Sequence, residues 1–424
     1  MHYASGVFRH SNLHTMRTYF LLSVLLTLTL SGAVSGADKK VITPVGARPP
    51  VGPYSPGILT ADYLYVSGQG AARLDGSFPA STGEQVTQSL TNIKAIVEGA
   101  GLTMEHVVYT QVYMKDATAY DEMNKAWNKF FPRNPPARAT LGVHRMPTET
   151  PVEITVVAVR DLSRKKIIVP PGYPANAPVS PGVMVGDRLY LSGFLGRDLA
   201  SGRIPEDPAA QVELSLDRMG ATLKAAGMDF RHLVFVNPYL TDAMPMDVMN
   251  RVYAKHFEFG NTPARATIKV ASLPNGANVE FTGVAIRDLS KRRAFRPKNM
   301  PPSATASPCV LAEDTLYCSA KAGFIPGPNG GISASTVETQ VRQTMRNLLD
   351  GLEEAGMTFA DVVATNVYLD DLNEFVRMNK VYAQYFAGNP PTRTTVQQVP
   401  SVERKANEKD LWPALEQISV IAVK

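Results

Sequence analysis

Three segments of the chain repeat one another at a nearly constant spacing. PARAT at residues 136–140 returns at 263–267, and PTRTT at 391–395 is a close variant. Arg138 and Arg265 stand 127 residues apart, Arg265 and Arg393 128. Other landmarks keep step: YLYVSGQ (63–69), RLYLSGF (188–194) and TLYCSAK (315–321) correspond. So do QVTQSLTNIKAIVEGAG (85–101), QVELSLDRMGATLKAAG (211–227) and QVRQTMRNLLDGLEEAG (340–356). A third set carries Asn124, Asn250 and Asn379 at matching places. A self-similar period fixes the architecture before any residue-level reading. The 424 residues are three copies of one domain, at 46–162, 170–289 and 300–424.

One copy reads as an α+β layer. YLYVSG alternates as a half-buried strand does. Val86, Leu90, Ile93 and Val97 share one face of a helix, with Thr82 and Gln85 spaced as a capping box. HVVYTQVYM is a β-branched and aromatic strand. A second helix follows and is halted by Pro132, and ARATLGV and VEITVVAV are two more strands. The order β-β-α-β-α-β-β predicts one sheet with both helices on one face.

At 44% hydrophobic and 19% charged, each copy can bury an ordinary core. A net charge of +5 is mild for this length and does not point to nucleic acid. The basic, proline-rich joints RDLSRKKIIVPPGYP and RDLSKRRAFRPKNMPPS read as solvated linkers. At the N-terminus, Met16-Arg17 introduces TYFLLSVLLTLTL and then the small residues SGAVSGA. That pattern is a signal peptide at 1–37, with Met16 an alternative start, and implies a periplasmic or secreted protein with no membrane span after cleavage. The two cysteines, Cys309 and Cys318, flank an apparent hairpin. A bridge and two small strand residues are both compatible with that placement.

Histidines recur at no shared repeat position, so no metal-ligand cluster is visible. Neither a GxSxG elbow nor a phosphate-binding glycine loop is present. What recurs is arginine plus carboxylate. Arg138 precedes Glu153, and Arg265 precedes Glu280, each by 15 residues, a gap that suits two adjacent strands. Such a pair is either a structural ion pair or a division of labour. In the latter the guanidinium clamps a substrate carboxylate and the glutamate handles a water.

With GPYSPG, YVSGQ, QSLTNIKAIVEGAGL, VYMKD, MNKAWNKFF, PARAT and VEITVVAVR together, the chain resembles the RidA (YjgF) family of enamine/imine deaminases three times over. The resemblance implies a chorismate-mutase-like α+β fold and clefts between neighbouring subunits of a trimer. Three fused copies would then close as an intramolecular pseudo-trimer, a monomer in solution. It implies cofactor-free hydrolysis of small 2-imino or enamino carboxylates to 2-oxo acids and ammonia. Carried over, it makes Arg138 the carboxylate anchor and Glu153 the water-activating residue, with Arg265 and Glu280 as counterparts. Tyr54, Asn124, Thr140, Asn250, Asn379 and Arg393 would line the clefts, and Tyr54 could complete a neighbour's cleft.

The copies differ. Val179 and Ala306 replace Tyr54, and Phe194 replaces Gln69. Gln417 or, with a bulge, Glu416 takes the third glutamate place. By this reading only the copy with Arg138 holds tyrosine, asparagine and glutamate together. A carboxylate-binding protein without turnover is the alternative function, and a ribonuclease-like member of the family the third.

Overall fold

The computed structural model describes residues 39–424, apart from 176, 199, 299, 328–330, 387 and 400–402; the expected signal peptide lies outside the described residues. The first domain runs β1 (Lys40–Ile42), β2 (Gly57–Leu59), β3 (Tyr63–Gly70), α1 (Thr82–Gly99), β4 (Val107–Met114), α2 (Tyr120–Phe130), β5 (Ala137–Gly142) and β6 (Val152–Val159). The second runs β7 (Lys165–Ile168), β8 (Gly182–Val185), β9 (Arg188–Leu195), α3 (Pro208–Ala225), β10 (Leu233–Leu240), α4 (Met246–Ala254), β11 (Ala264–Arg265), β12 (Ile268–Lys269) and β13 (Val279–Ile286). The third runs β14 (Arg292–Phe295), β15 (Cys309–Ala312), β16 (Thr315–Lys321), a small β17–β18 hairpin (Phe324–Ile325, Ile332–Ser333), α5 (Val337–Glu354), β19 (Val362–Leu369), α6 (Phe375–Tyr382), β20 (Thr392–Gln397) and β21 (Glu416–Val423).

The expected α+β layer is present three times, with one short strand added at the start of each. In the first sheet the order is β1-β2-β3-β6-β4-β5, and the other two repeat it. All neighbours are antiparallel except β4–β5 and its counterparts, which are parallel because a helix carries the chain across. The basic joints are thus not free linkers. Lys165–Ile168 and Arg292–Phe295 are the edge strands of the second and third sheets, which begin before residues 170 and 300. The α1 cap also lies one residue earlier than expected. Ser81 and Glu84 form the capping box, while Val86, Leu90, Ile93 and Val97 are buried as the periodicity predicts.

Each sheet buries one face under its own two helices, giving three separate cores. The opposite faces of all three sheets share a fourth core, containing Tyr65, Tyr190 and Tyr317. Basic side chains at the start of each domain tie it to another. Lys165 Nζ donates to the carbonyls of Glu105 and Val107, at 2.7 and 2.8 Å. Arg292 Nε donates to Leu233 at 3.0 Å, and Lys39 Nζ to Val362 at 3.0 Å. Each domain therefore touches both of the others. Arg188, 1% exposed, joins all three at one point. Its guanidinium lies 4.9 Å from the Tyr63 ring of the first domain. It also donates to the Ala312 carbonyl and the Asp314 carboxylate of the third, both at 3.2 Å.

Cys309 and Cys318 are register partners on β15 and β16 and are bridged. Among the described residues no helix is long and apolar enough to cross a membrane.

Candidate active site

Three equivalent borders form where the edge strand carrying the repeated arginine meets the next domain, and each is a candidate cleft. The prolines and serines of the repeated motifs make the joint. Arg138, Arg265 and Arg393 donate their backbone N–H to Ser192, Ser319 and Ser67 Oγ, at 2.9, 2.8 and 2.8 Å. Each serine hydroxyl in turn donates to the carbonyl of Ser180, Ser307 or Ser55. Those three serines bond back to the carbonyls of Pro136, Pro263 and Pro391. The serine of the YVSG motif is thus a border residue. Its repetition was visible, but its partner lies in another copy.

Every arginine is aimed by the asparagine of the preceding helix. Arg138 Nη2 donates to Asn124 Oδ1, Arg265 Nη1 to Asn250 Oδ1 and Arg393 Nη1 to Asn379 Oδ1, all at 2.7 Å. Aromatic faces flank the guanidinium planes. Tyr54, Phe375 and Tyr382 surround Arg393 at 5.1–5.4 Å from ring centre. Trp127 and Tyr120 flank Arg138, and Tyr253 flanks Arg265. Arg138 and Arg393 are 3% and 4% exposed, yet Nε and Nη1 of Arg138 and Nη2 of Arg393 have no hydrogen-bond partner among the described residues. Unpartnered buried guanidinium donors are costly unless a ligand oxygen meets them. The aromatic neighbours were not singled out from the sequence, where they read as ordinary helix positions.

The expected pairing within one copy is wrong. β5 and β6 are not adjacent, because β4 lies between them. Arg138 on β5 and Glu153 on β6 therefore belong to different clefts. Glu153 instead shares a cavity with Arg393 of the third domain, lined also by Tyr54, Gln69, Phe375 and Thr395. Arg138 faces Glu280 of the second domain, with Thr140 supplying backbone beside that carboxyl. Tyr54 does reach a neighbour's arginine, as expected. It brings Glu153 with it, so the full set of tyrosine, glutamate, asparagine and arginine assembles between the first and third domains. The stretch around Arg138 does not hold that set.

The two carboxyls are abnormal acids. Burial pushes Glu153 up to about 8, opposed only by the Arg393 charge. Burial likewise pushes Glu280 up to about 8, against the Thr140 backbone and the charges of Arg138 and Arg218. Arg393 is lowered, burial outweighing Tyr382, Tyr54 and Glu153.

The third cleft is built differently. Glu153 stands opposite Tyr113 and Glu280 opposite Tyr239, and in β21 the residue opposite Tyr368 is Gln417. Glu416 is one position earlier in the strand, so its side chain points to the other face of the sheet. There it is fully buried under α5, accepting from the Thr344 hydroxyl. A second change accompanies the first. A Cβ at Gly68 or Gly193 would collide with the carboxyl of Glu153 or Glu280. The third copy has Ala320 at that place. Phe194 is buried in the helix-side core of the second domain. Among the described residues no three His, Cys, Asp or Glu converge as metal ligands.

The sequence model of one family, Endoribonuclease L-PSP, matches residues 45–160, 172–287 and 297–407. The chain belongs to the Endoribonuclease L-PSP family, in three tandem copies. Among L-PSP relatives, it is 40% identical over 124 residues to a RutC family protein from Saccharolobus solfataricus, covering 28% of this chain and 97% of that protein. It is 38% identical over 127 residues to the 2-iminobutanoate/2-iminopropanoate deaminase of Bos taurus, covering 30% of this chain and 92% of the relative. Solved structures similar to it include the YjgF gene product from E. coli, at 36% identity and TM-score 0.28, covering 29% of this chain and 99% of that one. E. coli TdcF with bound serine is another, at 31% identity and TM-score 0.28, covering 29% and 99%.

Proposed function

We propose that the chain hydrolyses small 2-imino and enamino carboxylates to 2-oxo acids and ammonia, chiefly in the cleft between its first and third domains. The observation that carries the reading is the shared cavity of Glu153 and Arg393, with Tyr54 beside the guanidinium. Arg393 Nη2 takes the substrate carboxylate, and Asn379 holds the guanidinium in position. The ionised Glu153 accepts a proton from water as the water oxygen bonds to the imine carbon. The protonated Glu153 returns that proton to the nitrogen, giving the amino alcohol, and then relays the hydroxyl proton to the same nitrogen as the C–N bond breaks, so water and imine become ketone and ammonia. A carboxyl titrating near 8 suits both roles. An imine is already electrophilic, so orientation and one positioned water suffice.

In this reading the three domains close as a ring and act as one monomeric pseudo-trimer, its clefts unequal. The second cleft, with Arg138, Asn124 and Glu280, is a slower hydrolase because Val179 stands in the tyrosine place. The third, with Arg265 and Asn250 but Gln417, binds carboxylates without turnover, and this observation favours the binding reading for that cleft alone. We also propose export, supported by the apolar run after Arg17 and the Cys309–Cys318 bridge.

The test generates 2-iminopropanoate in situ with an amino-acid oxidase and follows ammonia release. Acceleration by the wild type, lost in Arg393→Ala and in Glu153→Gln, is the expected result. Carboxylate binding without acceleration would assign the whole chain to the binding class.

A further inference from the structure

We infer that the cleft between the first and third domains is shaped for a 2-imino carboxylate with a long apolar side chain, rather than for the three-carbon acid. The inference rests on the deaminase reading above and names the substrate class of that same cleft. Its cavity measures about 420 Å³. A cavity needs only about 10–15 Å³ of such space to admit one water, so a three-carbon imino acid leaves much of this one unfilled. Glu153 and Arg393 define where the reacting carbon and the carboxylate sit in the proposed reaction, so the remaining space lies open to the substituent on that carbon.

The walls beyond that point are mostly apolar, with Gln88, Thr91 and Asn92 of α1 as the polar groups among them. Ala95 and Ile96 of α1 form one side, and Val45, Val51 and Leu74 form the mouth. These three are among the few large apolar side chains left in solvent, at 106%, 47% and 76% exposure. Isolated exposed apolar residues are ordinary, but three converging on the mouth of one cavity mark a surface that gains by being covered. Val45 and Val51 are particular to this cleft, whereas Leu74 has Leu199 at the matching place seven residues after Ser192. Counted back from the matching serines Ser55, Ser180 and Ser307, Val51 corresponds to Asn176 and Ser303. Arg48 also lines the cavity and offers a competing, anionic preference that the test separates.

The experiment uses the full mature chain and imino acids generated in situ from alanine, leucine, phenylalanine and glutamate, following ammonia release over the uncatalysed rate. Extra apolar carbons buried at the mouth raise kcat/KM for the leucine- and phenylalanine-derived imines by roughly tenfold or more over the alanine-derived one. In the double variant Val45→Ser/Leu74→Ser that ratio falls toward one. A ratio near one in the wild type, with alanine-derived imine turned over, overturns this inference and leaves the deaminase reading standing. So does a preference for the glutamate-derived imine, or a ratio that the double variant does not change. Acceleration of none of the four overturns both.

Discussion

Gln417 stands opposite Tyr368 at the strand position that Glu153 and Glu280 occupy opposite Tyr113 and Tyr239. Ala320 carries a methyl group at the position where Gly68 and Gly193 leave room for those carboxyls. Gln417→Glu is isosteric but replaces the amide that donates to Gln398 with a carboxylate denied the position its counterparts take, and alone it is expected to cost about 1–3 kcal/mol. Adding Ala320→Gly recovers most of that loss. Urea unfolding of both variants checks this; equal stability of the single and double variants would contradict the account.

The border pairing predicts which double substitutions interact. Arg393→Ala removes charge-assisted bonds to the substrate carboxylate and is expected to cost about 3 kcal/mol, roughly a hundredfold in kcat/KM. Combined with Glu153→Gln, the losses fall well short of additive, since both act in one cleft. Arg138→Ala combined with Glu153→Gln behaves as two separate sites. Steady-state kinetics on the two double variants distinguish this from pairing within a copy.

Stability depends on pH in a defined direction. Glu153, Glu280 and Glu416 are each raised from 4.5 to about 8 by burial. The folded chain keeps protons that the unfolded chain has released, so the stabilisation is complete below about pH 4.5. It is lost as pH rises through about 8. Unfolding free energy is expected to fall between pH 5 and pH 8.5, and Glu416→Gln flattens part of that slope. Deaminase activity runs the other way over the alkaline limb, because the base form of Glu153 grows in as pH passes 8.

Arg188 is the residue on which the three domains meet. Its removal leaves Asp314 without its partner and opens a void beside Tyr63. Arg188→Ala is expected to cost about 3 kcal/mol of unfolding free energy, chiefly through the cavity that a large buried side chain leaves. Asp314→Asn costs less, because that carboxylate is partly exposed and screened. Thermal unfolding of the two variants reads the difference.

What could be read in advance was whatever repeats locally. The threefold period, the apolar face of α1, the arginines and their asparagines all came from residues close together in the chain. The partner of each arginine did not. A gap of 15 residues between Arg138 and Glu153 fits two neighbouring strands equally well whether or not a third lies between. Only the parallel insertion of β5 at the sheet edge decides it. The basic joints misled for a related reason. Lys165 and Arg292 look solvated in sequence, but their carbonyl partners belong to the preceding domain. Counting back from the C-terminus pointed to Gln417, and the register of β21 places it there.

The best-equipped cleft draws its glutamate and tyrosine from the first domain and its arginine from the last. During synthesis the Glu153 side is complete long before Arg393 has been made, so this cleft is finished only when translation is. A chain cut short between Glu153 and Arg393 carries the glutamate but lacks the anchor, and such a prematurely terminated product cannot assemble that cleft at all.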